Sequence, residues 1–231
     1  VRSTEPTEVY ELRTRCLDDE MQHLKAVTKL LSESRADTID TATQVIATLP
    51  AITACNDVAS LRRQMQPAND KKLIWGQSVE QLARASGLLA ASRKDEAKGV
   101  LTPVVKSSRD AGFKALLGAA WTIMGQIDAD GGELDGARKL LDDSILALET
   151  AGDDRRLTAA WIARARLADQ QKQYAEAMQA LAHAEAVGDR ASADQNARGR
   201  LLATKANILL HQDQLADAKR AADSAVTAFE K

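Results

Sequence analysis

A helical hairpin that recurs at a fixed interval constrains this chain more than any other feature. In residues 113–152, two apolar stripes with helical spacing flank the pair Gly131-Gly132. Adjacent glycines weaken a helix and permit the positive φ of a tight turn, so we predict that the chain reverses there. Gly152 follows the second stripe and is typical of the residue that ends a helix.

The small residue behind this turn returns along the whole second part of the chain. Ala137 lies just past the turn, and alanine recurs 40 residues before it, 40 after it and a further 41 after that. The four equivalent positions are Ala97, Ala137, Ala177 and Ala218. A period of this length indicates stacked helical hairpins, in which a small side chain lets two helices approach closely.

These landmarks resemble the tetratricopeptide repeat, whose signature is W-x2-L-G-x2-Y followed by A-x3-F. The best copy is WTIMG at 121–125, with Ala137 and Leu141 behind it. Asp128 replaces the tyrosine, and the period is 40 rather than 34, which longer helices explain. The resemblance covers about 73–231 and implies an all-α, right-handed solenoid.

We predict two parts and about eleven helices. Residues 1–70 do not show the repeat and are expected to form a three-helix cap, with the second helix ending near Pro50. Four hairpins are expected at 71–112, 113–152, 153–188 and 189–231. The third is predicted to close at Gly188, which makes its second helix one turn shorter than those of the first two hairpins.

Composition excludes several classes of function. Hydrophobic residues are 45% of the chain and aromatic residues only 3%, which suits thin, closely packed helices and argues against a β-sandwich. The net charge of −2 leaves no basic excess to neutralise phosphates, so nucleic-acid binding is not expected. No apolar run approaches the ~18 residues of a membrane span, so no membrane contact is expected within this chain.

No catalytic signature is present in the sequence. Phosphate-binding glycine loops, zinc-protease motifs, the nucleophile elbow and the protein-kinase motifs are all missing. His23, His183 and His211 are far apart and share no spacing. We therefore predict a protein that is not an enzyme and that holds neither a cofactor nor a metal.

Two cysteines, Cys16 and Cys55, leave alternatives open. Two thiols 39 residues apart, with no nearby Cys or His, lack the ligand set of a metal site. Buried free thiols are one alternative. We favour a disulfide that joins the first helix to the loop after the second. Closing a loop of this size would stabilise the fold by about 4 kcal/mol in the chain-entropy model. A stable disulfide indicates an oxidising compartment.

The N-terminal segments carry a second, narrower resemblance. The order CLDDE at 16–20, ATLP at 47–50 and ACND at 54–57, followed by helical repeats, is similar to the C-terminal region of membrane-anchored bacterial serine/threonine kinases of the myxobacterial type. Glu20 stands where a basic residue is usual in that family. The resemblance implies an extracytoplasmic region, tethered to the inner membrane through a longer chain whose kinase domain precedes residue 1.

The tetratricopeptide resemblance also implies where a ligand binds. In such solenoids the leading helix of each hairpin lines a concave groove, and stepping by the repeat period along these helices gives one polar column. Arg166 is its strongest member, because a guanidinium can grip a carboxylate with two parallel bonds. A column that is merely solvated is the alternative. The polar column is Ser86, Gln126, Arg166 and Asn207, and the flanking candidates are Thr122, Asp169, Gln170, Arg200 and His211.

Two functional hypotheses follow. The first is a sensor module that binds a peptide, protein or small molecule in its groove and passes occupancy through the membrane to a kinase. The second is a cytosolic adaptor or regulator that mediates protein–protein interaction, with both cysteines reduced. Thiol titration under denaturing, non-reducing conditions separates them, because the first hypothesis predicts no free thiol and the second predicts two.

Overall fold

The computed structural model describes residues 6–33, 36–191 and 195–230, with Asp37 described by its backbone alone. Within these ranges the chain is helical and contains no strand, which confirms the predicted all-α class. Its two 3-10 turns are Ile52–Asn56 and Asn69–Lys71. The α-helices in the described ranges are α1 Thr7–Ser32, α2 Ala36–Asp40, α3 Ala42–Ile46, α4 Val58–Arg63, α5 Lys72–Ala90, α6 Lys94–Ala111, α7 Lys114–Asp130, α8 Leu134–Ala151, α9 Asp154–Gln170, α10 Tyr174–Arg190, α11 Gln195–His211 and α12 Leu215–Phe229.

The last eight helices form four successive hairpins: α5–α6, α7–α8, α9–α10 and α11–α12. The leading helices α5, α7, α9 and α11 each contact the next leading helix, so they form one layer. The second helices α6, α8 and α10 each contact the leading helix of the following hairpin. Each hairpin therefore buries its apolar face by stacking on its neighbours, as the repeat pattern predicts.

The backbone repeats with the same period as the sequence. Positive φ angles of 58–87° recur at the turn inside each hairpin, and glycine occupies only one of the four positions. The residue after each turn donates its N–H to a carbonyl five residues back, at 2.8–2.9 Å. Because three L-residues adopt this conformation, the hairpin geometry and not glycine alone sets the turn. The four turn residues are Ser92, Gly132, Lys172 and Asp213.

Small residues at the helix crossings behave as predicted. Ala97, Ala137 and Ala177 are fully buried, and Ala218 is 7% exposed. Glycine adds to the effect between α7 and α8: a Cβ built on Gly118 would lie 2.6 Å from Leu148 Cγ. These crossings are tight because almost no side chain separates the two helix backbones there.

The predicted end of the third hairpin is wrong. Gly112 and Gly152 end α6 and α8 in the left-handed conformation, with φ of 77° and 67°. Gly188, in contrast, lies inside α10, which continues to Arg190. At 17 residues, α10 is nearly as long as α6 and α8, which have 18 residues each. A Cβ on Gly188 would be in ordinary contact with Thr158, so this glycine lies where α10 packs on α9.

The N-terminal region differs from the predicted set of three helices. The segment predicted as one second helix is divided into α2 and α3 at Thr41. The first helix, α1, runs in the same direction as α5, because Asp19 accepts a hydrogen bond from Trp75 near the start of α5 and Glu33 from Arg93 just beyond its end.

A second contact joins the N-terminal region to the third hairpin. Arg63 donates to the Asp154 carboxylate at 3.1 Å and to the Arg190 carbonyl at 3.0 Å. The N–H of Met65 donates to the Ala151 carbonyl at 3.0 Å. The segment after α4 therefore reaches past the first hairpin and lies against the turn between α8 and α9.

Cys16 and Cys55 form a disulfide, with their Cα atoms 5.6 Å apart. This satisfies the predicted limit of about 7 Å and joins α1 to the 3-10 turn Ile52–Asn56. Among the residues that the structure describes, no helix combines the length and the apolar character needed to cross a membrane.

Candidate binding surfaces

The polar column follows the exposed side of the leading helices. Gln126 on α7 is half-buried, whereas Arg166 on α9 and Asn207 on α11 are exposed. Ser86 is also half-buried and lies on α5, the leading helix that α1 packs against. The exposed members of the column therefore lie on α9 and α11, and Gln126 on the neighbouring α7 is partly accessible.

Arg166 has the property that a ligand-binding cation needs. Its guanidinium makes no hydrogen bond or ion pair with any described residue. Ala159 lies two turns earlier on the same face of α9 and is also exposed. A free guanidinium beside a small side chain lets a carboxylate or a peptide backbone approach without steric obstruction.

Of the flanking candidates, Thr122 lies inside the α7–α8 pair. It is 6% exposed, and its hydroxyl is 3.1 Å from the Gly118 carbonyl and 2.7 Å from the Ser144 hydroxyl. The Ser144 hydroxyl also donates to the Gly118 carbonyl. The Thr122 hydroxyl is therefore engaged in holding two helices together.

The remaining candidates are on α9 and α11. Nδ1 of His211 is 3.0 Å from the carboxylate oxygens of Asp169, which connects the C-terminal ends of the two helices. Gln170 and Arg200 are exposed. The structure thus brings the C-terminal ends of α9 and α11 together.

A cleft between α1 and α5 has no counterpart in the sequence predictions. It has a volume of about 720 Å³, within the range of small-molecule sites. No sequence motif predicts this cleft, because the cleft forms only where α1, which lies outside the repeat, packs parallel to α5. The sequence offered one weak signal, a tryptophan and a glycine side by side near the start of α5. The lining residues that matter below are Tyr10, Asp19, Leu73, Trp75, Gly76 and Glu80.

Trp75 and Asp19 form the inner wall of this α1–α5 cleft. The indole N–H of Trp75 donates to both carboxylate oxygens of Asp19, at 3.0 and 3.1 Å. Burial raises the pKa of Asp19, although the Trp75 hydrogen bond favours the charged form. Trp75 packs edge-on against Phe113, with ring centroids 5.2 Å apart, so the indole is held from both sides.

Charged groups fill the contact between α1 and α9. Arg155 donates to Glu20 at 3.0 Å. Burial, with further repulsion from Arg156 and Arg155, lowers the pKa of His23 to about 3. Burial disfavours the charged form of Asp153, but Arg156 and Arg155 outweigh it and hold its pKa below the usual range. This contact is therefore polar.

One group of potential metal-binding side chains lies beside the disulfide. Cys16, Glu20 and Cys55 place one donor atom each within 4.8 Å of one another. In this form the sulfur atoms are bonded to each other, and a metal site needs thiolates. The group is therefore described as a disulfide with a neighbouring carboxylate.

Comparison with known proteins gave no relative. A scan against models of protein families found no match, and neither did searches of curated proteins and of solved structures. The two surfaces, the polar column and the α1–α5 cleft, are therefore interpreted from their own geometry.

Proposed function

We propose that this chain is the non-catalytic, ligand-binding sensor region of a membrane-anchored bacterial serine/threonine kinase. In this proposal the hairpins form a right-handed tetratricopeptide-like solenoid with residues 1–70 as its cap. The polar column faces the concave side and contacts the ligand. The observation that carries the proposal is Arg166, an exposed guanidinium on α9 with no partner among the described residues.

The arrangement of the leading helices supports a shared binding face. α7, α9 and α11 pack in sequence, so Gln126, Arg166 and Asn207 are presented by three neighbouring helices. A peptide that crosses these helices meets one polar side chain from each. A carboxylate on that peptide, either an acidic side chain or the C-terminus, would take Arg166 as its partner.

The disulfide supports the extracytoplasmic side of the proposal. Structural disulfides persist in oxidising compartments, and the geometry of Cys16 and Cys55 suits one. Titration of thiols in denaturant without reductant tests this point. Protein made in an oxidising compartment should show no free thiol, and two free thiols would favour a cytosolic adaptor.

Binding is tested with a library of short peptides that differ only in acidic side chains and in a free or amidated C-terminus. Carboxylate-bearing peptides should bind, and Arg166→Ala should weaken them about tenfold or more, as expected for a lost charge-assisted pair. Arg109→Ala is the matched control, because Arg109 is an exposed arginine on the second helix α6.

Equal affinity of Arg166→Ala and the unmodified chain, for every peptide that binds, would place the ligand on another surface. Gln126→Ala and Asn207→Ala then serve as the second check of the column. Thermal melting of each variant must match the unmodified chain, because these three side chains are expected to contribute little to stability.

A further inference from the structure

The α1–α5 cleft carries an excess of negative charge. Its lining includes four carboxylates and two basic side chains. One of the basic side chains, Arg15, donates to the side chain of Gln66. The cleft thus offers more carboxylates than it offers cations to neutralise them. The carboxylates are Glu11, Asp18, Asp19 and Glu80, and the basic side chains are Arg15 and Lys72.

Two of these carboxylates are partly withdrawn from water without a cation in contact. Glu80 is half-buried and makes no hydrogen bond or ion pair with the described part of the chain. Asp19 accepts from the neutral indole of Trp75 and forms no salt bridge with a described residue, although the charges of Arg156 and Arg155 on α9 also favour its ionised form. Removing a carboxylate from water is unfavourable unless a positive group compensates.

Gly76 gives the cleft its depth. It lies inside α5, its φ is not in the left-handed region, and a Cβ built on it meets no atom within 4 Å. Glycine in a helix interior costs about 1 kcal/mol relative to alanine, and here neither backbone conformation nor packing requires it. The absent side chain leaves open space beside Trp75 and Gln77.

Two large hydrophobic side chains that line the cleft are unusually open to water. Tyr10 is 62% exposed and Leu73 is 73% exposed. Aromatic faces attract cations, most strongly where carboxylates stand nearby and water is partly excluded. The cleft thus combines exposed apolar side chains, aromatic rings and more carboxylates than cations in its lining.

We propose that the α1–α5 cleft binds an organic cation, an alkylammonium group carried on a small apolar body. The ammonium lies between Asp19 and Glu80, and the apolar body lies over Gly76 against Tyr10 and Leu73. This site is separate from the polar column, which is expected to take carboxylates, so it extends the binding capacity beyond the proposed function.

Isothermal titration at low salt tests the class of ligand directly. The probes are choline, N-acetyl-lysine amide and 3,3-dimethylbutan-1-ol, the uncharged carbon isostere of choline. At least one of the two cations should bind, at least tenfold more tightly than the alcohol. Choline binding identifies a free small molecule and lysine amide binding a peptide side chain. Binding of neither cation, or equal binding of choline and the alcohol, overturns the proposal.

Two variants locate the site. Glu80→Gln should weaken the cation about tenfold while keeping the shape of the side chain. Gly76→Leu should occupy the space beside Trp75 and abolish binding. The melting temperature should not fall, since a Cβ at this position meets no atom within 4 Å and leucine favours a helix more than glycine does. Gly99→Leu on α6 is the matched control, because a Cβ there also meets no atom within 4 Å.

Unchanged cation affinity in both Glu80→Gln and Gly76→Leu would overturn the assignment to this cleft. Arg166→Ala should leave cation binding unchanged. Failure of the cleft and failure of the polar column are therefore separate results, measured with different ligands and different variants.

Discussion

The two regions of this molecule differ in the balance of the forces that hold them in place. The hairpins at 72–229 stack mainly through alanine, glycine and leucine, as at the fully buried Ala177, and ion pairs such as Arg164–Asp142 add to this stacking. The N-terminal region at 6–71 is cross-linked within itself by the disulfide. It is attached to the hairpins by the Trp75–Asp19 hydrogen bond and by ionic contacts such as Arg155–Glu20. Apolar contacts are present there too, at Leu30 and Val45, but they involve α5 and do not extend to α9.

This contrast shows how a repeat array can be fixed at one end. In a stack of repeats, the free energy of unfolding is close to a sum of terms for each repeat and for each contact between neighbours. Each hairpin is therefore stabilised directly only by the hairpins next to it. The N-terminal region contacts the first hairpin through α1 and the third through Arg63 and Arg155. It therefore couples two hairpins that are not neighbours in sequence, and the coupling depends on polar groups.

The largest expected effect comes from the disulfide. Replacing both cysteines by serine, Cys16→Ser with Cys55→Ser, should lower the free energy of unfolding by about 4 kcal/mol in the chain-entropy model. Urea unfolding measures the loss, and hydrogen exchange should show faster exchange in α1 and α4 than in α7 to α10. Reduction of the unmodified chain should reproduce the effect. A loss below about 1 kcal/mol would show that the other contacts suffice to hold the N-terminal region.

The second-largest loss of stability is expected at Gly152, where the turn between α8 and α9 meets the Arg63 segment. Gly152→Ala places a Cβ 2.3 Å from the Arg63 carbonyl oxygen at a φ of 67°, so strain and overpacking together should cost about 3 kcal/mol. Gly112→Ala is the control: its φ is 77°, but no atom lies within 4 Å. It should cost only about 1–2 kcal/mol. Equal losses in thermal unfolding would mean that the Arg63 segment moves aside freely.

The stacking of the hairpins can be tested within a single helix. Ala177→Leu overpacks a fully buried crossing on α10 and should cost about 1–3 kcal/mol. Ala175→Leu, two residues earlier on the exposed side, should change stability by less than about 0.5 kcal/mol. Denaturant unfolding of both variants compares them directly. A neutral effect at Ala177 would contradict the interpretation that small side chains set the helix spacing.

The charged contact between α1 and α9 should make the free energy of unfolding depend on pH. The folded pKa of His23, about 3, lies below its usual value near 6.5, so the unfolded chain binds the proton first. The free energy of unfolding should therefore fall as pH drops from about 6.5 toward 3. Between pH 7.5 and 5.5 this group should contribute a loss of about 1 kcal/mol.

His23→Gln should remove that part of the pH dependence. The exposed ring of His211 provides the control variant, His211→Gln. Unfolding curves at several pH values, compared between the two variants, give the contribution of each ring. Identical slopes for the two variants would show that His23 gains a proton in the folded protein as easily as in the unfolded chain.

Periodicity carried most of what could be predicted, because each hairpin is specified locally. Ala97, Ala137, Ala177 and Ala218 are buried because a 40-residue period brings the same face of each hairpin to the same crossing. Asp169 and His211 were predicted only as flanks of the polar column, and the hydrogen bond between them became visible in the structure. The prediction that α10 ends at Gly188 was wrong. A glycine after an apolar stripe ends a helix only where the backbone adopts the left-handed conformation, and Gly188 does not adopt it.

By itself, the sequence determined the helical class, the four turns and the small residues at the crossings, since these depend on neighbours within about 40 residues. Only the tertiary structure decided the direction of α1 along α5 and the reach of Arg63 to Asp154, 91 residues away. Contacts at such separations obey no period, so local patterns do not encode them. The α1–α5 cleft and the buried environment of His23 arise from those contacts alone.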